Sequence, residues 1–201
     1  SIKELFNRGP DYLKSNYFFN DTLFIGNTIL SITGNVDKSK NLVSSKNKNF
    51  YISFNGEIYN YKLLSETYFK KYKFNTDTEL LVNLHEKINF DKIPQILNGM
   101  FAYAILDLKN KKIKIANDPQ GEKGIYYYND DKYFIISSTI KSIIKFLKKN
   151  RINIQINNNV IKDYFSTRHY MPIDKTCFKN IKILKNASIL EFNLNNYRVS
   201  V

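Results

Sequence analysis

The segment "FNGEIYN", residues 54–60, combines residue types that can stabilise a developing negative charge on oxygen. Asn55 offers a side-chain NH₂ group. Gly56 has no side chain, so a ligand can approach its backbone N–H closely. Two such donors aimed at one point form an oxyanion hole, which stabilises a transition state by a few kcal/mol in other enzymes. Asn-Gly is also a common turn with positive φ, and from these residues alone both interpretations stay open.

A strand and a helix must position these two residues. The alternation of Phe50, Ile52 and Phe54 predicts a strand over residues 49–56. Apolar residues at helical spacing then predict a helix over residues 57–68. Asn55-Gly56 would therefore lie at a strand-to-helix corner, where the helix N-terminus adds positive potential.

A second predicted helix covers residues 77–88, in which leucines form one apolar stripe. Thr76 and Glu79 are spaced as a capping box at its start. Asp77 is then the first helical residue, a position where the helix dipole by itself favours an acid.

The rest of the chain alternates between short strands and amphipathic helices. Strands are predicted over residues 22–33 (with a break near Gly26-Asn27), in a hairpin over 99–118 with a type I turn at 118–121, over 124–130 and 132–137, and twice within 177–194; helices are predicted over 138–149, capped by Ser138, and over 157–168. This order indicates an α+β protein with mainly antiparallel sheets. A length of 201 residues is enough for one domain, covering residues 1–201.

Composition argues against several functional classes. The net charge is +13, but all except four of the 31 basic residues are lysines, and phosphate-reading surfaces favour arginine, so nucleic-acid binding is not expected. The apolar runs are too short to cross a bilayer, so membrane insertion is not expected either. Cys177 is the single cysteine, which excludes an intrachain disulfide and a multi-cysteine zinc site and indicates a reducing, cytoplasmic compartment.

Neither Cys177 nor His85 is predicted to do chemistry. Cys177 lies between alternating apolar residues, as a small buried side chain would. His85 stands beside Glu86 in a predicted helix and is expected at the surface or its boundary. The sequence has no glycine-rich phosphate loop and no H-E-x-x-H zinc motif.

Several segments, in this order, resemble the glutaminase domain of asparagine synthetases, which is a class II glutamine amidotransferase. They are "NRGPD" (7–11), "FNGEIYN" (54–60), "TDTELL" (76–81) and "LNGMFAYAILD" (97–107), followed by "ANDPQGEKGIYYY" (116–128). The resemblance covers nearly the whole chain. It implies the N-terminal-nucleophile fold, in which two antiparallel β-sheets stack between helix layers (αββα). It also implies that glutamine is the ligand and that its hydrolysis supplies ammonia for the amidation of aspartate.

The resemblance assigns roles to four residues. Asn55 and Gly56 match the oxyanion hole and contact glutamine. Glu57 and Asp77 match the residues that hold the α-amino group of glutamine, and both are carboxylates, as an ammonium group requires. No metal ligand is implied.

The chain departs from the family pattern at four points. The family's nucleophile is an N-terminal cysteine that lies a strand and most of a helix before "RGPD", where this sequence has only residues 1–7, so the nucleophile is expected to be absent. Ile29 stands where an arginine would bind the substrate carboxylate. Asn117-Asp118 replaces Arg-Asp, and Ser138-Thr139 replaces Ser-Glu.

The ATP-binding loop of the family's synthetase half, Ser-Gly-Gly-x-Asp-Ser, does not occur in the sequence. No cofactor is therefore expected on this chain, and ATP and magnesium are expected only on a synthetase domain that acts with it in cis or in trans. Two interpretations stay open: a glutaminase domain of an asparagine synthase, inactive by itself, or a decayed, non-catalytic module that packs against or regulates a synthetase domain. A missing first strand would leave an open sheet edge, so dependence on a partner is expected.

Overall fold

The computed structural model describes residues 5, 9–29, 42–70, 72–167 and 174–201, and the chain divides into two compact units. The larger unit consists of Phe6–Lys123 and Ala187–Val201, and the smaller unit of Ser1–Leu5 and Gly124–Asn186. Most of the smaller unit is therefore an insertion between two parts of the larger one.

The described elements, in chain order, are β1 (Tyr12–Phe18), β2 (Leu23–Ile29), β3 (Val43–Ser44), β4 (Phe50–Ile58), α1 (Tyr61–Phe69), α2 (Asp77–Leu84), a 3₁₀ turn (Phe90–Lys92), α3 (Ile93–Ile96), β5 (Gly99–Asp107), β6 (Lys112–Asn117), β7 (Tyr126–Asn129), β8 (Phe134–Ser137), α4 (Ile140–Lys149), α5 (Asn158–Ser166), β9 (Ile181–Ile183), β10 (Ile189–Asn193) and β11 (Arg198–Ser200). No helix in the described part of the chain is long and apolar enough to span a membrane.

The larger unit is built on a six-stranded antiparallel sheet of order β11-β10-β6-β5-β4-β3. One face of this sheet carries Ile52, Phe54 and Tyr103, which are buried in a core shared with the leucines of α2. The β1–β2 hairpin lies against the other face, where Ser53 Oγ donates to the carbonyl of Gly26 (3.5 Å). The unit is thus layered as helices, sheet and hairpin.

The smaller unit contains a three-stranded antiparallel sheet of order β8-β7-β9. Tyr128 and Ile181 of this sheet form a buried cluster with Ile143 and Leu147 of α4. The apolar side of the amphipathic helix predicted over 138–149 is therefore the side that packs on the sheet. The predicted α+β class with stacked antiparallel sheets is confirmed.

Two predicted details of the elements are wrong. The strand β2 runs without a break through Gly26-Asn27 because both residues pair with β1; residues 30–33 lie outside the described residues. Thr139, not Ser138, caps α4, since its Oγ1 accepts from the N–H of Ser142 (3.4 Å). The two strands predicted within 177–194 are confirmed as β9 and β10, which belong to different sheets.

Candidate functional site

The strand β4 continues through the candidate site. Asn55, Gly56 and Glu57 pair with Ala102, Phe101 and Met100 of β5, and α1 begins only at Tyr61. The predicted strand-to-helix corner at Asn55-Gly56 is therefore wrong. Pairing with a full neighbouring strand extends β4 past the residues that by themselves favour a turn.

Gly56 is required by the close approach of β4 and β5. Its φ is +147°, a value that side-chain-bearing residues rarely adopt. A Cβ at this position would lie 2.1 Å from the carbonyl oxygen of Met100 and 2.8 Å from the Cα of Phe101. The site thus needs glycine for strand packing as well as for any ligand approach.

The backbone N–H of Gly56 points away from β5. In an antiparallel strand, successive residues direct their N–H and C=O groups to opposite edges. The N–H of Tyr59 donates to the carbonyl of Asn98 (2.8 Å). The odd-numbered residues of β4 therefore direct their backbone N–H and C=O groups toward β5. Phe54, Gly56 and Ile58 therefore direct their backbone groups to the other edge.

That other edge is occupied on both sides of Gly56. The amide Nδ2 of Asn27 donates to the carbonyl of Phe54 (2.9 Å), and the N–H of Ile58 donates to Oδ2 of Asp77 (3.0 Å). In the described part of the chain, β3 pairs with β4 only before Phe54. The N–H of Gly56 thus lies between the hairpin and the start of α2, at a stretch of the edge where none of the described strands pairs with β4.

The side chains of Asn55 and Glu57 share the sheet face opposite the helices, because side chains two residues apart in a strand point the same way. Asn55 is half-buried and Glu57 is exposed. Asn117 lies on this face too, two strands away, since both it and Asn55 pair with Ala102. Its Oδ1 accepts from the N–H of Ser188 (3.2 Å), whereas its Nδ2 is buried without a hydrogen-bond partner.

Asp77 begins α2 and also contacts the end of β4. Its Oδ1 accepts from the N–H of Thr78 (2.7 Å), so the expected helix-start role is present, while its Oδ2 binds Ile58. The threonine half of the predicted capping box is confirmed, since Oγ1 of Thr76 accepts from the N–H of Glu79 (3.1 Å), whereas Oε2 of Glu79 accepts from the N–H of Asn75 (3.0 Å) and not from that of Thr76. A carboxylate has about four acceptor positions, so these bonds leave Asp77 able to bind a further donor.

The structure therefore brings the four candidate residues to one end of β4. They are Asn55, Gly56, Glu57 and Asp77. Their roles in binding or catalysis stay predictions. Ile29, at the predicted clamp position, is half-buried on the same hairpin face as Asn27.

Asp118 was not predicted as a site residue, but its side chain holds the backbone behind the site. It is fully buried, and its carboxylate accepts from the N–H groups of Phe101 (3.3 Å), Glu122 (2.9 Å) and Lys123 (3.1 Å). Because Phe101 pairs with Gly56, Asp118 fixes the strand that Gly56 packs on. In the sequence, Asp118 was marked only as the first residue of the predicted 118–121 turn. That turn is confirmed, because the N–H of Gly121 donates to the carbonyl of Asp118 (3.1 Å).

His85 is buried, so its predicted place at the surface or boundary is wrong. It stacks on Phe90, with ring centroids 5.2 Å apart, and only 8% of it is exposed. Burial, with a smaller contribution from the charge of Lys114, lowers its pKa to about 3. His85 is thus a neutral core residue.

Cys177 is a half-buried free thiol, less buried than predicted, and it belongs to the smaller unit. Among the residues that the structure describes, no group of three or more His, Cys, Asp or Glu side chains is arranged to hold a metal ion.

The glutamine amidotransferase domain model matches residues 1–200. The chain belongs to this family. A relative from Methanocaldococcus jannaschii, a putative glutamine-hydrolysing asparagine synthetase 2, is 34% identical over 148 residues, which are 74% of this chain and 28% of that protein. The glutamine-hydrolysing asparagine synthetase 1 of Bacillus subtilis is 33% identical over 187 residues, 90% of this chain and 28% of that protein.

The chain therefore spans little more than a quarter of the length of these relatives. Among solved structures, the glutamine phosphoribosylpyrophosphate amidotransferase of B. subtilis matches 79% of this chain and 30% of its own, with a TM-score of 0.47 at 15% identity. The predicted membership in the glutamine amidotransferase family is confirmed by the domain match.

Proposed function

We propose that this domain binds glutamine at the open edge of β4 and takes part in its hydrolysis to glutamate and ammonia. One observation carries the proposal: the N–H of Gly56 lies between the Asn27–Phe54 and Ile58–Asp77 contacts, next to Asn55, at a stretch of the β4 edge where none of the described strands pairs. Family membership supports glutamine as the ligand.

In this reaction a nucleophile adds to the side-chain carbonyl carbon of glutamine, and the carbonyl oxygen becomes negatively charged. The N–H of Gly56 and the Nδ2 of Asn55 would donate to that oxygen, and one such donor contributes roughly 3 kcal/mol to transition-state stabilisation. The carbon–nitrogen bond then breaks, and the nitrogen leaves as ammonia with the proton that the nucleophile has lost. Water then hydrolyses the bond between the nucleophile and the acyl carbon, which releases glutamate. None of the described residues is proposed as the nucleophile.

The two carboxylates would bind the other end of the ligand. Asp77 is fixed by its bonds to Ile58 and Thr78, and Glu57 is exposed on the face that carries Asn55. An ammonium group placed between Glu57 and Asp77 would make charge-assisted hydrogen bonds. This would select a ligand with a free α-amino group.

The ammonia would serve a synthetase domain, in cis or in trans, that uses ATP and magnesium to amidate aspartate. The names of the relatives, which are glutamine-hydrolysing asparagine synthetases, support this assignment. We place the reaction in the cytoplasm.

The test is calorimetric titration of the 201-residue chain with glutamine, together with an assay for released glutamate. Glutamine should bind, and Glu57→Gln and Asp77→Asn should each weaken binding about tenfold, as expected for loss of a charged hydrogen bond. Glu66→Gln, an exposed change on α1, is the matched control. Thermal unfolding of each variant checks that it folds. Absence of glutamine binding at millimolar concentration would contradict the proposal, as would equal affinities in all variants.

A second candidate function is that of a non-catalytic module that binds no glutamine. Ile29 favours it, because an apolar side chain cannot pair with the carboxylate of the ligand. The same titration separates the two candidates.

A further inference from the structure

Lys14 is a buried lysine that faces β4. Only 3% of it is exposed, which is unusual for a lysine. It pairs directly with Asn27 across the hairpin, so both side chains lie on the same face, and Asn27 donates to the carbonyl of Phe54. The opposite face of the hairpin carries Leu13 and Tyr17, which are 42% and 63% exposed.

The hairpin and β4 run alongside each other toward the candidate site. Ser53 contacts Gly26, and the next residue, Phe54, contacts the next hairpin residue, Asn27. The strands β2 and β4 thus run in the same direction. Lys14, opposite Asn27, lies at the level where β4 enters the candidate site.

A glutamine molecule needs a positive group at this place. It is a zwitterion, and Glu57 and Asp77 can neutralise only its ammonium group. Its carboxylate needs a cation, which Ile29 cannot supply. Lys14 is the diagonal neighbour of Ile29 in the hairpin, about 7–8 Å away and within reach of a lysine side chain.

Lys14 already takes part in an interaction within the chain. An ammonium group has three donors and can contact more than one acceptor at once, so a ligand carboxylate would bind in addition to what Lys14 contacts within the chain. Its burial also reduces screening by water, which strengthens a charge pair.

We propose that the ammonium of Lys14 binds the α-carboxylate of glutamine and makes the site specific for ligands with a free α-carboxylate. This inference rests on the proposed function, because it takes glutamine as the ligand of the β4 edge. Lys14 is a specificity-determining residue here and takes no part in bond breaking.

The test compares glutamine with 4-aminobutanamide, which has the same carbon chain, amide and amino group but no carboxylate. Calorimetry on the wild-type chain should show glutamine binding about 10- to 100-fold more tightly. Lys14→Met should remove this preference by weakening glutamine alone, whereas Lys14→Arg should retain it. Lys62→Met, an exposed change on α1, should leave both affinities unchanged. If Lys14→Met keeps the preference, or weakens both ligands equally, the inference is wrong.

A measurement on the wild-type chain covers the case in which Lys14→Met does not fold. In protein with ¹³C-labelled lysine, the Lys14 side-chain signal, assigned by its loss in Lys14→Arg, should shift with glutamine but not with 4-aminobutanamide. No shift with bound glutamine would overturn the role of Lys14 and leave the proposed function standing. If the wild-type chain binds neither ligand, the proposed function itself fails.

Discussion

Replacing Gly56 by alanine is expected to destabilise the larger unit strongly, although it adds only one methyl group. The new Cβ would lie 2.1 Å from the carbonyl oxygen of Met100 and 2.8 Å from the Cα of Phe101, and neither backbone atom can rotate away. The φ of +147° is also unfavourable for alanine.

The magnitude follows from these two effects. An unfavourable φ of this kind costs about 1–3 kcal/mol. Moving β4 and β5 apart to relieve the overlap costs about 1–3 kcal/mol more, as in other overpacked sites. The total loss of about 2–6 kcal/mol is a large part of the 5–15 kcal/mol by which typical domains are stable.

The assay is urea unfolding followed by far-UV circular dichroism, with amide hydrogen exchange to locate the loss in β5. Gly124→Ala is the matched control, because the nearest atoms to its added Cβ are 3.9 Å away. This control should change the free energy of unfolding by less than about 1 kcal/mol. A loss below about 1 kcal/mol for Gly56→Ala, or an equal loss in the control, would refute the packing argument.

Two further variants test the support of the site and its core. Asp118→Ala leaves three backbone N–H groups without their acceptor and should cost about 3 kcal/mol of stability in urea unfolding. Asp107→Ala, which loses only bonds to Asn110, should cost less than about 1 kcal/mol; equal losses would contradict the role of Asp118. His85 has a folded-state pKa of about 3, below its ordinary 6.5, so the unfolded chain binds the proton more readily than the folded chain. The free energy of unfolding should therefore fall as the pH drops from 6.5 toward 3, by at most about 1.4 kcal/mol per pH unit. His85→Leu should reduce this slope in acid titrations of stability, and identical slopes would be inconsistent with a neutral buried imidazole.

Elements with strong local signals could be predicted from the sequence. The β5–β6 hairpin has a continuous apolar arm and an alternating arm around a polar turn, and the start of α2 has a threonine and a glutamate at capping distance. Both signals act within a few residues, so no distant contact overrides them. The clustering of Asn55, Gly56, Glu57 and Asp77 was also anticipated, through the family resemblance.

Features set by distant contacts could not be predicted. The extension of β4 to Ile58 depends on pairing with β5, about forty residues later in the chain. The burial of His85 depends on Phe90 and Tyr103, which a helical pattern around His85 does not reveal. Lys14 looks like an ordinary polar residue of a strand until its pairing with Asn27 places it against β4.

The insertion of the smaller unit has a consequence for how the chain folds during synthesis. The strand β6 pairs with β10, which leaves the ribosome roughly 70 residues later, or about 4–14 s at ordinary translation rates. During that interval β6 is an exposed edge, and its lysines, Lys112 and Lys114, discourage pairing with other chains. The same two lysines later bind Glu191 of β10, at 2.6 and 3.4 Å. The lysines that discourage wrong pairing at the β6 edge thus gain an opposite charge when β10 joins it.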